Sequence, residues 1–352
     1  MNALIAEIDQ KLPVGSIVKP PKGISMMETL AFTDHDMSQL RQGKKHLLIT
    51  LTDKMATAYC FTCIEWAIMK LREDLNSNLF FHKRNITLTA LLEEQQQKMK
   101  DLGFKPGNPI IPHYYFMIKM HKHPAGLRFI AGANNVINTD PHKHLAMALK
   151  VLDRGSITLL NNARRRIPFI KCTQPINMNN TMDAINGINY YNRNKDHSNM
   201  TEMQTADVVR LYTNLPLELV YAVLKEYCKR LWIEGHYLVI MPDLKEGKWS
   251  KKYIPDKENG KYSSFTYDLE GFLALLKYCL FNTHLTFGGE IYKQFQGIAM
   301  GANSSTFIAN MFLGAYELKF WEQLAGPDAP AGARRARGRE QDQDLGRAAQ
   351  QI

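Results

Sequence analysis

Apolar side chains recur at helical spacing in several stretches of this chain. After Pro216 they form one stripe along a helical face, and Pro216 and Glu218 both suit the first turn of such a helix. The residues of the stripe are Val220, Val223, Leu224, Tyr227 and Leu231. Similar patterns predict helices over residues 61–75, 88–102, 142–151, 269–280 and 306–322. Gly103 is expected to end the helix of residues 88–102.

Short apolar runs and alternation of apolar and polar residues predict strands between these helices. The predicted strands cover residues 47–51, 114–120, 127–131, 167–170 and 205–212. Gly288 and Gly289 are typical of a tight β-hairpin turn, whereas residues 235–262 are polar and rich in turn residues. The mixture of helices and strands predicts a chain of the α/β class.

The pattern changes abruptly after Leu324. Residues 325–352 consist mainly of Ala, Gly, Arg, Gln and Asp, with almost no large apolar side chain. Such a composition cannot bury an apolar face, so we expect this tail to be disordered and unrelated to the fold. Residues 1–45 form a mixed N-terminal extension.

The chain is basic, with a formal net charge of +10 over 352 residues and a pI near 9.2. This charge favours a polyanionic partner such as nucleic acid. No apolar run reaches about 18 residues, so no membrane-spanning helix is predicted. No secretory signal is apparent, and we expect an intracellular, nuclear or cytoplasmic protein. The five cysteines are odd in number and scattered, which argues against a disulfide framework.

Two small clusters of possible metal ligands have simpler interpretations. Cys60 and Cys63 form a lone CxxC in an apolar, helix-like run, which favours a place in the core over a zinc site. His142 and His144 lack thiol or carboxylate companions at ligand spacing, so they are expected at the surface or beside a phosphate.

Three constellations carry candidate chemistry. In the first, the carboxylate of Asp207 lies near the end of a strand-like run, Tyr212 follows five residues later, and a helix begins at Pro216. The second is a loop with two glycines four residues apart, Gly297 and Gly301, which lead into the helix of residues 306–322. Taken alone, this loop could simply be a glycine-containing helix entry.

The third constellation is the predicted hairpin of residues 114–131. It carries Lys119, Lys122 and Arg128, and cations on adjacent strands can hold a triphosphate. The alternative is a basic surface hairpin. The run Arg164, Arg165 and Arg166 fits either a solvated face or a contact with a nucleic-acid backbone.

In order, these motifs resemble those of a reverse transcriptase, an RNA-directed DNA polymerase. The resemblance covers about residues 50–324 and is strongest to Penelope-like retroelements, which are related to telomerase reverse transcriptase. It rests on the sequence DVVRLYTNLP at 207–216, on GIAMG at 297–301 with the helix after it, and on YFMIKMHK at 115–122. An early Thr52-Asp53-Lys54 also fits the family.

The resemblance implies a right-hand polymerase fold of the α/β (α+β) class. Residues 46–200 would form a fingers-like region, and residues 201–324 a partial palm whose antiparallel sheet is backed by helices. The reaction would be nucleotidyl transfer helped by two Mg²⁺ ions, with an RNA template, a DNA primer and deoxynucleoside triphosphates as partners.

The resemblance also implies a role for each matching residue. Asp207 would be the catalytic carboxylate, and it would hold metal together with the backbone carbonyl of Val208. Tyr212 would pack under the sugar and obstruct a 2′-hydroxyl. The further nucleotide-binding residues would be Lys119, Arg128, Gln296, Gly297 and Met300. The residues contacting nucleic-acid phosphates would be Lys122, Arg164, Arg165 and Arg166.

One motif of the family is missing from this sequence. The family's third palm motif, with two adjacent aspartates, should follow Glu317 by a few tens of residues, and only Asp342 and Asp344 lie there, two apart and without apolar neighbours. We therefore expect a reverse transcriptase truncated after the second palm motif and inactive alone. Two alternatives stay open: a catalytically dead nucleic-acid-binding remnant of a retroelement, and an unrelated soluble α/β domain.

Overall fold

The computed structural model describes residues 46–77, 79–105, 107–120, 126–133, 135–164, 181–193, 208, 211–254 and 263–325. The strands in these ranges are β1 Leu47–Thr52, β2 Met55–Cys63, β3 Phe81–Arg84, β4 His113–Lys119, β5 Gly126–Gly132, β6 Tyr237–Met241, β7 Glu246–Ser250, β8 Phe265–Tyr267, β9 His284–Phe287 and β10 Glu290–Gln294. The helices are α1 Ile64–Asn76, α2 Leu88–Asp101, α3 Thr139–Arg164, α4 Thr181–Arg193, α5 Leu211–Asn214, α6 Leu217–Leu231, α7 Leu269–Phe281 and α8 Ser305–Ala325.

The chain divides into two units. Unit 1 comprises Met1–Ser77 and Tyr114–Ile130, and unit 2 comprises Asn78–His113 and Ala131–Ile352. Each unit contains both strands and helices, so the architecture is mixed α/β, as predicted from the sequence. Among the described residues, no helix is both long enough and apolar enough to span a bilayer.

Unit 1 is built around strands β1, β2, β4 and β5. β1 and β2 pair antiparallel, β1 runs parallel to β4 where Thr52 meets Ile118, and β5 pairs with β4. Strands at β4 and β5 were predicted, but residues 61–63 were expected in a helix and instead end β2. Pairing with β1 explains this difference, because that pairing is a tertiary contact invisible to local periodicity.

The core of unit 1 lies between α1 and β4. Ala67, Leu71 and Leu75 form the buried face of α1, and they are spaced four residues apart as one helical face requires. From β4, Phe116 is buried and meets Trp66 edge to face, with ring centroids 6.1 Å apart. This packing fixes β4 and therefore the start of the hairpin that leads to β5.

Unit 2 contains the predicted glycine hairpin. β9 and β10 pair antiparallel, and β3 pairs antiparallel with the other side of β10. Gly288 and Gly289 both have positive φ, at 59° and 82°, which is the conformation required of a two-residue hairpin turn. The hairpin prediction is confirmed, and it brings Lys293 and Gln294 to the end of β10.

Four helices enclose the main core of unit 2. α8 packs chiefly on α3, while α6 contacts α3, α7 and α8. The predicted stripe of α6 is confirmed: Val220, Leu224, Tyr227 and Leu231 are buried, and Val223 is partly buried against the same core. α3 is buried on nearly every side over residues 141–153, so its environment is set by several neighbours rather than by one face.

A second sheet in unit 2 was not predicted. β6 pairs antiparallel with β7 and with β8, and β6 and β7 lie within the stretch that the sequence indicated to be polar and turn-rich. The turn between β6 and β7 uses Lys245 in the left-handed region, at φ 51°, where glycine or asparagine would be usual. Without such a residue, the sequence gives little local sign of this hairpin.

Helix α2 is terminated by Gly103, as predicted. Gly103 has φ +79°, and its N–H donates to the carbonyl of Lys100 at 2.9 Å. The N–H of Phe104 donates to the carbonyl of Met99 at 2.8 Å. These two bonds are those of a Schellman cap, in which the left-handed residue turns the chain away from the helix.

Candidate nucleotide and nucleic-acid site

The first two constellations of the sequence meet in unit 2 through main-chain hydrogen bonds. The N–H of Gly297 donates to the carbonyl of Leu215 at 2.8 Å, and the N–H of Ile298 donates to that of Tyr212 at 2.6 Å. Pro216 and Gln296 form an isolated antiparallel bridge next to them. The segment of Tyr212 and the glycine loop are therefore held together along their backbones.

Gly297 makes this close approach possible. Its φ is +79°, a region that other residues rarely adopt. A Cβ at this position would lie 2.7 Å from the carbonyl oxygen of Tyr212 and 2.8 Å from that of Thr213. Those atoms belong to the backbone and cannot move aside, so the contact requires glycine.

The loop after Gly297 is anchored at its far end by α3. The carbonyl of Met300 accepts from the N–H of Ala131 at 3.1 Å, and Ser305 Oγ donates to the carbonyl of Ala299 at 2.6 Å. His142 Nδ1 lies 2.7 Å from Ser304 Oγ at the start of α8. The loop thus leads into α8 along a path fixed at several points.

The prediction that His142 and His144 lie at the surface is wrong. Both are buried, because α3 is enclosed on nearly every side. His144 Nδ1 lies 2.9 Å from the hydroxyl of Tyr267, and its ring packs against Phe104 and Phe265. Burial lowers the pKa of each histidine to about 4, so both are neutral at pH 7.

The predicted triphosphate cations belong to unit 1. Lys119 is the last residue of β4. Its side chain lies beside Gly126 at the start of β5, since a Cβ built on Gly126 would be 3.6 Å from Lys119 Cδ. Arg128 on β5 donates from Nη1 to Oδ1 of Asp53 at 2.8 Å. Asp53 is 5% exposed, so Arg128 is held by a buried carboxylate that follows β1 directly.

Several predicted site residues lie outside the described residues. They are Asp207, Lys122, Arg165 and Arg166. Arg164 is the last residue of α3, and Val208 is described but belongs to no helix or strand. Leu211 and Tyr212 were expected at the end of a strand but form the start of α5, so the strand prediction is wrong there. The roles given to all these residues remain predictions.

The described residues do not form a two-metal site. They include no group of three or more His, Cys, Asp or Glu side chains placed to hold a metal ion. Val208 supplies one described carbonyl of the predicted donor set. Cys60 and Cys63 lie on β2 rather than in a helix, and Cys63 is exposed, which corrects the expectation that both belong to the core.

Comparison with known proteins gives a likeness at the level of the fold. No protein-family model matches this sequence, and no curated protein is significantly similar to it. Among solved structures, telomerase from Candida albicans in complex with a fragment of telomeric RNA matches over 92% of this chain, with a TM-score of 0.51 and 12% identity. The chain has a fold similar to that of this telomerase.

This telomerase-related fold agrees with the predicted polymerase fingers and palm. The chain spans about half of the Candida albicans protein, covering 53% of its length. Two structures of apo telomerase from Candida tropicalis also match. One, truncated from the C-terminal domain, has a TM-score of 0.42, 12% identity and coverage of 80% of this chain and 50% of its own length. The other has a TM-score of 0.43, 10% identity and coverage of 93% and 53%.

The structure gives two residues a setting that their sequence motifs did not indicate. Asp53, which directly follows β1, pairs with Arg128 of β5. Lys293 lies at the end of β10, three residues before Gln296, among other cations. Its neighbours come from β3 and α2, so no sequence motif could have indicated it.

Proposed function

We propose that this chain forms the fingers and partial palm of a reverse transcriptase and binds an RNA template. The supporting observation is the main-chain contact between the segment of Tyr212 and the loop of Gln296 and Gly297, within a telomerase-related fold. A binding surface held by backbone bonds is preorganised, so it orients a ligand without first having to order itself.

We propose a task for each of these residues. Tyr212 and Gln296 lie on two segments that the bridge between Pro216 and Gln296 joins, so the backbone positions of both residues are fixed relative to each other. In the proposed function, Tyr212 contacts the sugar of the incoming nucleotide, and Gln296 and Met300 contact the templating base pair. Lys119 and Arg128 are the proposed triphosphate contacts, with Arg128 oriented by Asp53.

The proposal includes nucleotidyl transfer, on the condition that the protein supplies every ligand needed to hold the Mg²⁺ ions. Asp207 and the carbonyl of Val208 are the residues proposed to hold Mg²⁺, which when bound would neutralise charge on the phosphates. The related proposal is a nucleic-acid-binding remnant that binds RNA without extending a primer.

Two assays test these proposals on the full chain. RNA binding is measured by fluorescence anisotropy, and primer extension is measured with an RNA template, a DNA primer, Mg²⁺ and deoxynucleotides. Binding with extension that is abolished by Asp207→Ala supports the polymerase. Binding without extension supports the remnant. A chain that binds neither RNA nor primed template contradicts both.

A further inference from the structure

A groove of about 240 Å³ lies in unit 2 between the start of α6 and the end of β10. Pro216 and Glu218 line it from the helix, and Lys293, Phe295 and Gln296 line it from the strand and the loop beyond. The groove therefore opens beside the predicted template-contacting glutamine, yet its cationic side chain belongs to none of the sequence motifs.

Lys293 belongs to a cluster of cations on one face of the sheet. It lies opposite His82 of β3 and His284 of β9 in the strand register. Arg84 follows His82 by two residues, so the period of a strand places it on the same face. Lys98 of α2 reaches this face too, where it donates to Asn282 Oδ1 at 2.7 Å.

The cluster carries more positive than negative charge. Arg84 and Lys98 share one carboxylate, that of Glu94, at 3.1 Å and 2.8 Å. His284 adds no charge, because its Nε2 faces Arg84 Nη1 at 3.3 Å and can only accept there, while its Nδ1 donates to the carbonyl of Asn282. Burial lowers the pKa of His284 to about 4, in agreement with a neutral ring.

Lys293 is the cation of this cluster that lies within salt-bridge distance of no described carboxylate. Within the part of the chain that the structure describes, it makes no ion pair. Partial burial lowers the pKa of Lys293, and the nearby charges of Lys98 and Arg84 lower it further, while the more weakly acting charge of Glu94 opposes them. A cation in such a position is stabilised by an anion that enters from solvent.

The start of α6 favours an anion in the same groove. α6 has 15 residues, and Pro216 is its N-cap, so its first N–H groups have no acceptor within the helix. The positive end of the helix dipole lies there as well. Glu218 is exposed in this first turn, where its carboxylate opposes an anion that binds near Lys293.

We infer that this groove binds a backbone phosphate of a single-stranded nucleic acid, with the ammonium of Lys293 as the direct contact. The inference rests on the proposed function, because the strand is the one whose base lies against Gln296. The inference adds a binding site for the backbone of that nucleic-acid strand, at a residue outside the motifs that the sequence analysis identified.

Binding of a fluorescein-labelled single-stranded RNA to the full chain, followed by anisotropy over a series of salt concentrations, tests the inference. Lys293→Ala should weaken binding about fivefold and lower the slope of log affinity against log salt by about 0.7, the value for one phosphate contact on a single strand. Lys83→Ala is the matched control, since Lys83 lies on neighbouring β3 and pairs with Glu290 instead. It should leave both quantities unchanged.

Glu218→Gln should strengthen RNA binding, because it removes the opposing carboxylate. Since Glu218 is exposed, this variant keeps the test decisive if Lys293→Ala does not fold. Wild-type binding with unchanged affinity in Lys293→Ala, or in Glu218→Gln, overturns this inference alone. An effect of Lys293→Ala on deoxynucleotide binding but not on RNA binding overturns it too. Failure of the wild-type chain to bind RNA overturns the proposed function and this inference with it.

Discussion

A methyl group at Gly297 would lie 2.9 Å from Cα of Thr213 and still closer to two carbonyl oxygens. We expect Gly297→Ala to lower the free energy of unfolding by about 2–4 kcal/mol, through the cost of positive φ and through backbone displacement. Urea unfolding measures the loss. RNA binding should weaken as well, because the segment of Tyr212 would shift.

Gly103→Ala is the control for this substitution. Gly103 has the same φ of +79°, but a Cβ there would meet no atom within 4 Å. It should cost about 1 kcal/mol for the backbone conformation alone and leave RNA binding intact. Equal losses in the two variants would show that the close approach at Gly297 contributes nothing.

His142 makes stability depend on pH. Its folded pKa of about 4 lies below the ordinary value of 6.5, so the unfolded chain binds the proton first as pH falls. Its contribution is complete above pH 6.5 and is lost progressively towards pH 4. Between about pH 7 and pH 5, this histidine should account for about 2 kcal/mol of lost stability.

Urea unfolding at both pH values measures that loss in the wild-type chain and in His142→Gln. The variant removes the titrating ring, so its stability should fall less on acidification, whatever its stability at neutral pH. An identical fall in both proteins would contradict the assignment of His142 as a buried neutral base.

At this scale the sequence predicted some of the site and missed the rest for identifiable reasons. The two glycines drew attention to this loop, but the contact of Gly297 with the backbone of Tyr212 and Thr213 was not predicted, because it joins segments more than 80 residues apart. The burial of His142 was not predicted either, because α3 is enclosed by elements distant in sequence. Asp53 was noticed only through a family likeness, and its partner Arg128 lies 75 residues away.

Helix α6 contributes to stability chiefly through its buried stripe. Leu224 is fully buried, and Leu219 on the same helix is 36% exposed. Leu224→Ala should lower the free energy of unfolding by about 3 kcal/mol, through lost burial and the cavity that remains. Leu219→Ala is the same chemical change on the same helix and should cost less than about 1 kcal/mol. Thermal or urea unfolding compares them, and similar losses would contradict the packing of this face.

Elements with a strong local signal were predicted well. α6 and α7 followed their apolar spacing, and the turn between β9 and β10 followed its two glycines. β2 and the β6–β7 hairpin were missed because each depends on pairing. β2 is a nine-residue strand whose apolar run also fits a helix, and the turn after β6 lacks glycine. The local sequence pattern predicts such strands correctly only where the pairing in the fold favours the same structure as the local propensity.

For the whole molecule, the net charge of +10 should govern affinity for RNA. Cations that contact phosphates release counterions, so affinity should fall about 10- to 100-fold between about 50 and 200 mM salt. Anisotropy titrations of the full chain measure this fall. An affinity independent of salt would exclude a phosphate-contacting surface and contradict the proposed mode of binding.

The fold class was predictable because helical and strand patterns alternate along most of the chain. The grouping into two units was not, since unit 1 gathers Met1–Ser77 and Tyr114–Ile130 across an intervening stretch of unit 2. The predicted boundaries of fingers and palm remain a prediction. The metal site is likewise open, since Asp207 lies outside the described residues.

The bonds that join the segment of Tyr212 to the glycine loop have a consequence for sequence change. They use only main-chain N–H and carbonyl groups, so they do not depend on which side chains stand at Tyr212 or Gln296. The bonds therefore tolerate a change of side chain at Gln296, whereas Gly297 cannot be replaced and Tyr212 is constrained by its packing against the core. Residue 296 is thus the position at which ligand preference could be redesigned on a main-chain scaffold that stays in place.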